Sequence, residues 1–262
     1  MRFERYGPWI VAFGALAAWE LAVRLFEVPA YLLPPPSSII RRIFVDYRLF
    51  ATHAWVTVGE VLTGFGLAIV VSIPLAAVLA RYRPLESALY PLLVASQTIP
   101  KVAIAPLLVV WFGFGLLPKV LIVFLIAFFP IVVDSMVGFR SVPREVTWLA
   151  RSMGASQWDT FRRISVPAAL PHIFAGLKVA STLAVVGAVV GEFVAADQGL
   201  GYQLIVANGV MDVQLSFALL LLLSVLGVVL YALIDLLERA MLPWHVSQRV
   251  GAAARANAEL RI

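Results

Sequence analysis

Residues 145–171 read EVTWLARSMGASQWDTFRRISVPAALP. They form the only long polar and basic segment in an otherwise lipid-soluble sequence, with Arg144 just before them and Arg151, Arg162 and Arg163 inside. Val146, Leu149 and Met153 fall on one helical face, and Gly154 is placed to end that helix. Upstream, Ser141-Val142-Pro143 predicts an N-cap followed closely by a helix-starting proline. After the turn at Gly154-Ala155-Ser156, Ser156-Gln157-Trp158-Asp159 has the form of a capping box with Asp in place of Glu. Trp158 and Phe161 share a face of this second helix, and Pro167 is expected to stop it. Two short helices joined by a glycine predict a rigid docking surface for a cytoplasmic partner. An ordinary positive-inside loop accounts for the arginines. It does not account for Trp158 and Phe161, because aromatics among arginines are what a protein interface favours.

Outward from this segment the sequence turns apolar. Of 262 residues, 62% are hydrophobic and 13% charged, where a soluble domain carries about a quarter charged. One core cannot bury that surplus, so the bilayer is the expected solvent. No cysteine is present, which excludes disulfides and thiolate chemistry. Six apolar segments are read at about 8–26, 55–80, 85–113, 118–139, 171–193 and 213–234, the third broken at Pro100-Lys101. In the first, Glu20 and Arg24 stand i,i+4 and can pair. Those charges, and the lack of a cleavage site, set it apart from a signal peptide.

Arginine placement orients the spans. One side holds Arg2, Arg5, Arg81, Arg83, Arg140, the arginines of 144–163, Arg239, Arg249, Arg255 and Arg261, while residues 195–212 have no Lys or Arg. Both termini and the 140–167 loop are therefore expected in the cytoplasm, and the net charge of +5 needs no nucleic acid to explain it. Arg41, Arg42 and Arg48 dissent. Pro34-Pro35-Pro36-Ser37-Ser38 reads as a stiff linker and N-cap, after which Ile39, Ile40, Ile43, Phe44, Tyr47, Phe50 and Ala51 recur at helical spacing. That helix either lies in the membrane interface or packs on the protein's outer face. The chain thus divides into an N-terminal transmembrane helix (1–33), an interfacial helix (34–54), a five-helix core (55–242) carrying the 140–167 loop, and a cytoplasmic tail (243–262).

No G-x-x-x-x-G-K-[ST] loop, H-E-x-x-H helix or G-x-S-x-G elbow occurs, so the sequence offers no usual ATP cradle, zinc site or serine nucleophile. His53, His172 and His245 have no ligand spacing. Lys101, Asp134, Lys178 and Glu192 sit in or at the ends of spans. Each has a structural or snorkelling reading beside the functional one. A solute pathway is best supported at Gln97, Thr98 and Lys101, where polar residues meet the Pro100 break, with Glu192 a further candidate.

The spacing Gly154, nine residues, Ile164, one residue, Val166-Pro167 resembles the EAA loop of the permease subunits of bacterial ABC importers. Trp148-Leu149-Ala150 stands where Glu-Ala-Ala is usual, with Glu145 one turn earlier. IPKVAIAPLLVVWFGFG at 99–115, GEFVAADQGLGY at 191–202, PPPSS at 34–38 and Leu242-Pro243-Trp244-His245 are similar to the nitrate/sulfonate/taurine branch. SQTIPK at 96–101 and AVVGEF at 188–193 resemble members assigned to thiamine-pyrimidine or riboflavin-type uptake. The resemblance implies an all-α membrane protein of the type I importer permease kind, with six transmembrane helices and a cytoplasmic coupling helix. It implies a bacterial inner-membrane homodimer, two ATPase subunits below and an extracytoplasmic substrate-binding protein above. Glu145, Ala150, Arg151, Gly154, Ala155, Ser156, Trp158, Phe161, Arg162 and Pro167 would then couple to the ATPase. ATP and Mg would lie on that partner, with no cofactor on this chain. A stand-alone secondary transporter or channel is the alternative, and it needs ion-coupling carboxylates at the membrane midplane. An intramembrane enzyme has no nucleophile or metal constellation to support it.

Overall fold

In hydrocarbon a single segment can pair its backbone N–H and C=O groups only as a helix. In the computed structural model, which describes residues 2–243, the apolar runs are accordingly helical, and no strand occurs among the described residues. The helices are α1 (Arg2–Leu25), α2 (Pro36–Val45), α3 (Tyr47–Arg81), α4 (Arg83–Gln97), α5 (Lys101–Phe112), α6 (Leu116–Arg140), α7 (Arg144–Ser152), α8 (Gln157–Thr160), α9 (Val166–Ala195), α10 (Leu200–Gly209) and α11 (Val213–Met241). Past Pro243, the expected cytoplasmic tail, with Trp244 and His245, lies outside the described residues.

Four helices are long and apolar enough to span: α3, α6, α11, and the continuous run from Gln157 through α9. A fifth span forms if α4 and α5, bent by 96° about residues 98–100, are taken together. The expected first span, α1, is not among these. Its uncharged stretch, residues 6–19, covers only roughly 21 Å at 1.5 Å per residue, against about 30 Å of hydrocarbon. Trp19 of α1 meets Phe217 of α11 with ring centroids 5.7 Å apart.

The core is built on α6 and α9, which pack along most of their lengths with α3 against both. Small residues set these distances. A Cβ at Gly138 would lie 2.8 Å from the Ala169 carbonyl, and one at Gly187 2.9 Å from the Val123 Cα. Close backbone approach of this kind holds helices together where lipid offers no hydrophobic driving force. Ala127, Ile131, Ala180, Ala184 and Ala188 are buried in this seam. By contrast α4 buries none of its residues, and α5 buries only Ala105 and Leu108.

Several local expectations are corrected. The interfacial helix ends at Val45, and residues 47–54 already belong to α3, because the chain turns at Asp46. Its N-terminus has no side-chain cap of its own. Instead Glu20 accepts the Ser37 N–H (3.0 Å) and hydroxyl (2.8 Å) while pairing with Arg24. Helix α2 packs mainly against α11. Ile39 is buried, Arg42 bonds Asp212 at 3.1 Å, and Gln214 donates to the Ser38 carbonyl at 2.8 Å. Ile40 and Phe44 remain exposed. Ser141 does not cap the next helix: it closes α6, and Pro143 occupies the N-cap of α7. Pro167 does not stop the second loop helix either. It stands two residues into α9, just past a π segment, inside a helical run that continues from α8. A π-helical segment, Phe161–Ser165, joins α8 to α9 without a break.

Candidate functional site

Three polar constellations stand out against the apolar frame. The first is the α7–α8 unit. At Gly154, φ is +90°. The Gly154 N–H bonds the Arg151 carbonyl and the Ala155 N–H the Ala150 carbonyl, so α7 ends in a Schellman-type turn that suits glycine. Ser156 caps α8 as expected: its oxygen accepts the Asp159 N–H at 3.1 Å, and its hydroxyl donates to the Asp159 carboxylate at 2.5 Å. Arg81 at the end of α3 donates to Gln157 at 2.7 Å, tying the unit to the core. Trp148, Leu149, Met153 and Trp158 are all more than 60% exposed, and Arg144, Arg151, Arg162 and Arg163 are exposed beside them. Phe161 differs from the expectation. It is half-buried, stacked between Phe139 of α6 and Trp158, with centroids 5.8 Å from each. Phe161 is therefore an internal spacer that seats Trp158, while Trp148 joins Trp158 as an exposed aromatic. Ala150, Ala155 and Pro167 are half-buried, and Glu145, Gly154 and Ser156 are exposed.

The second constellation is the α4–α5 break. Gln97 ends α4, and its Nε2 is buried with no hydrogen-bond partner. Thr98 donates to the Ala95 carbonyl at 2.7 Å. Lys101 opens α5, is half-buried, and makes no hydrogen bond or ion pair among the described residues. The structure therefore gathers Gln97, Thr98 and Lys101 at one bend.

Glu192 belongs to the third constellation. It is buried and accepts the Thr57 hydroxyl (2.6 Å) and the N–H groups of Gly201 (2.5 Å) and Tyr202 (3.2 Å). The Leu200 N–H donates to Thr57 at 2.9 Å and the Gly199 N–H to His53 Nδ1 at 3.0 Å. The first N–H groups of α10, orphaned in any helix, are thus satisfied by α3 and α9. A Cβ at Gly199, where φ is +120°, would overlap the Glu192 carboxylate. Beside it Lys119 pairs with Glu60, both buried, under a cavity of 460 Å³ bordered by Trp55, Gly59 and Asp197. The sequence reading missed Glu60, Lys119, Thr57 and α10. One signal was available: Glu60 and Lys119 are single opposite charges a short way into neighbouring spans. Lys178 does not snorkel; it pairs with Asp235 and Glu238 of α11. Among the described residues no His, Asp or Glu group is arranged to hold a metal.

A basic two-helix unit mounted on a helical membrane core matches a known class. Residues 68–243 match the family described as binding-protein-dependent transport system inner membrane component. The chain belongs to this family. It is 42% identical over 234 residues to the riboflavin transport system permease protein RibX of Chloroflexus aurantiacus, covering 88% of this chain and 87% of that one. It is 39% identical over 247 residues to the formylaminopyrimidine transport permease protein ThiX of Halalkalibacterium halodurans, covering 94% and 98%. Among solved structures, an inward-facing conformation of the MetNI methionine ABC transporter superposes with a TM-score of 0.67 at 20% identity, covering 74% of this chain and 97% of that one. The permease is a multi-pass membrane component of an ABC transport system, with the type I importer fold.

Proposed function

We propose that this permease works as a homodimer in a bacterial inner membrane, with both termini and α7–α8 in the cytoplasm. Two copies of a separate ATPase hold the ATP and Mg. An extracytoplasmic binding protein delivers the solute. The single observation that carries this reading is the mounting of α7–α8. Its exposed Trp148, Leu149, Met153 and Trp158 stand among Arg144, Arg151, Arg162 and Arg163, Trp158 at the polar end of the run that continues into α9. Desolvated aromatic anchors with arginine rims are the energetic centre of protein interfaces. Glu145, Ala150, Arg151, Gly154, Ala155, Ser156, Trp158 and Arg162 form the docking surface, and Phe161 and Pro167 connect it to α6 and α9. Closure of the ATPases pushes this surface, and the α6–α9 core moves with it as a rigid bundle in alternating access. The solute passes the α4–α5 break, where Gln97 and Lys101 offer hydrogen-bond donors. Glu192, first considered with them, holds α10 instead.

The cargo we propose is a pyrimidine or flavin-type vitamin precursor, by likeness to the riboflavin and formylaminopyrimidine permeases. The test is uptake of labelled riboflavin and formylaminopyrimidine into proteoliposomes holding the permease, its ATPase and the binding protein. Uptake that requires both partners and ATP is the expected result. Uptake by the permease alone, without ATP, would show a secondary transporter or channel instead.

A further inference from the structure

At the foot of α4, three guanidinium groups face one concavity of 600 Å³, where Arg83, Arg140 and Arg144 share its lining with Glu86, Tyr90 and Phe139. Arg140 pairs with Glu86, the one carboxylate of the lining. The side chains of Arg83 and Arg144 make no hydrogen bond, ion pair or ring contact among the described residues. Each stands at the first position of its helix, α4 and α7, and neither helix has a side-chain N-cap. Glu145 follows in the first turn of α7, outside the concavity. A helix N-terminus carries a partial positive charge from its free N–H groups, so a cation there is unfavourable and an anion favourable. Two uncompensated arginines and two uncapped N-termini thus converge on one space. Tyr90 and Phe139 are the aromatic members of the lining. The space is lined by both charged and aromatic residues and sits where α4 begins and α6 ends.

We infer that this concavity is a binding site for an anionic phospholipid, the headgroup phosphate seated between Arg83 and Arg144 and the glycerol end against Tyr90 and Phe139. Basic pockets between helices on the cytoplasmic face are suited to such headgroups. Charge alone would equally suit a free phosphate, but the aromatic residues in the lining and the position at the ends of apolar helices fit an amphiphile. Because α7 supplies Arg144, an occupied site ties the start of the docking unit to α4. The inference rests on the cytoplasmic placement of the 140–167 segment, which labelling at Ser156→Cys tests separately.

The full-length permease is reconstituted in vesicles of phosphatidylcholine with a minor share of phosphatidylglycerol. It is then re-extracted, and the lipid that stays bound is counted by native mass spectrometry. The wild-type chain retains phosphatidylglycerol in preference. Arg144→Gln, at an exposed helix start, lowers that preference about fivefold, and Arg83→Gln with Arg144→Gln about thirtyfold. Replacing both by lysine keeps most of it, and Arg48→Gln, at the other end of α3, leaves it unchanged. Three results overturn the inference: equal retention by Arg144→Gln and wild type, an equal loss in Arg48→Gln, or displacement of the lipid by inorganic phosphate at matched concentration. None of these bears on whether the chain transports, and externally labelled Ser156→Cys would instead remove the placement on which the inference stands.

Discussion

Lys119 and Glu60 are a buried pair, and each depends on the other more than the fold depends on both. Removing one partner of a buried ion pair leaves an uncompensated charge and costs about 3–5 kcal/mol, whereas exchanging both for apolar residues is far milder. Glu60→Gln or Lys119→Met alone is therefore expected to lower the detergent-phase unfolding midpoint sharply, and the Glu60→Met/Lys119→Met double variant to recover much of the loss. A double variant no better than the singles would show that the pair is not self-contained. Glu192→Leu keeps the bulk but removes the oxygen that accepts the Gly201 and Tyr202 N–H groups, so buried N–H groups of α10 are left unpaired at a cost of about 1–3 kcal/mol each, read as a lower unfolding midpoint. These residues were hard to read in the sequence because their partners are tertiary. Thr57 and Glu192 are 135 positions apart, and no periodicity signals such a meeting. Lys101 is the opposite case: a lysine after Pro100 in an apolar run was legible as a break, and a break is present. Lys101→Met is expected to reduce transport in proteoliposomes while the chain still assembles with its ATPase. Loss of assembly in that variant would make Lys101 a folding residue.

At the scale of elements, the α7–α8 unit is held by a glycine turn, a serine cap and an aromatic stack. Gly154→Pro cannot adopt the positive φ found there, since the proline ring fixes φ near −65°. Trp158→Asp would place a charge in a desolvated contact. Either change is expected to weaken ATPase association by about tenfold or more, the scale of an interface hot spot, while membrane insertion is unaffected. Pull-down of the ATPase against the inserted fraction measures both. The Ser156 cap and the Gly154 turn were legible because capping is local chemistry. The join to α9 was not. Pro167 and Pro171 suggested an end and a new beginning, but the wide π turn just before Pro167 makes room for its ring and missing N–H, and the helical run continues through both prolines. Helix α10 was missed for a related reason: its N-terminus is capped by His53, Thr57 and Glu192 from other helices.

For the molecule as a whole, the apolar segments and the family resemblance of residues 154–167 were enough to give the fold class, while α1 proved less apolar than its place in the order suggested. Orientation has a direct check, because the natural chain has no cysteine. A cysteine at Ser156 is expected to react only with reagent reaching the cytoplasmic face, and labelling by an impermeant reagent outside intact cells would reverse the topology. One feature joins the two faces. From Gln157 to Ala195 the chain is a single helical run of 39 residues, roughly 58 Å at 1.5 Å per residue. Trp158 stands near one end and Glu192 near the other, so their angular phase about a common axis is fixed by the number of residues between them. The π segment adds one residue to a turn. Deleting Ile164 would let the segment rewind as ordinary α-helix with Trp158 kept close to its phase, whereas deleting one residue from the regular part of α9 would turn Trp158 by about 100° relative to Glu192. Trp158 and Glu192 are indexed to one another, like cams on one shaft, across a join that holds one spare residue.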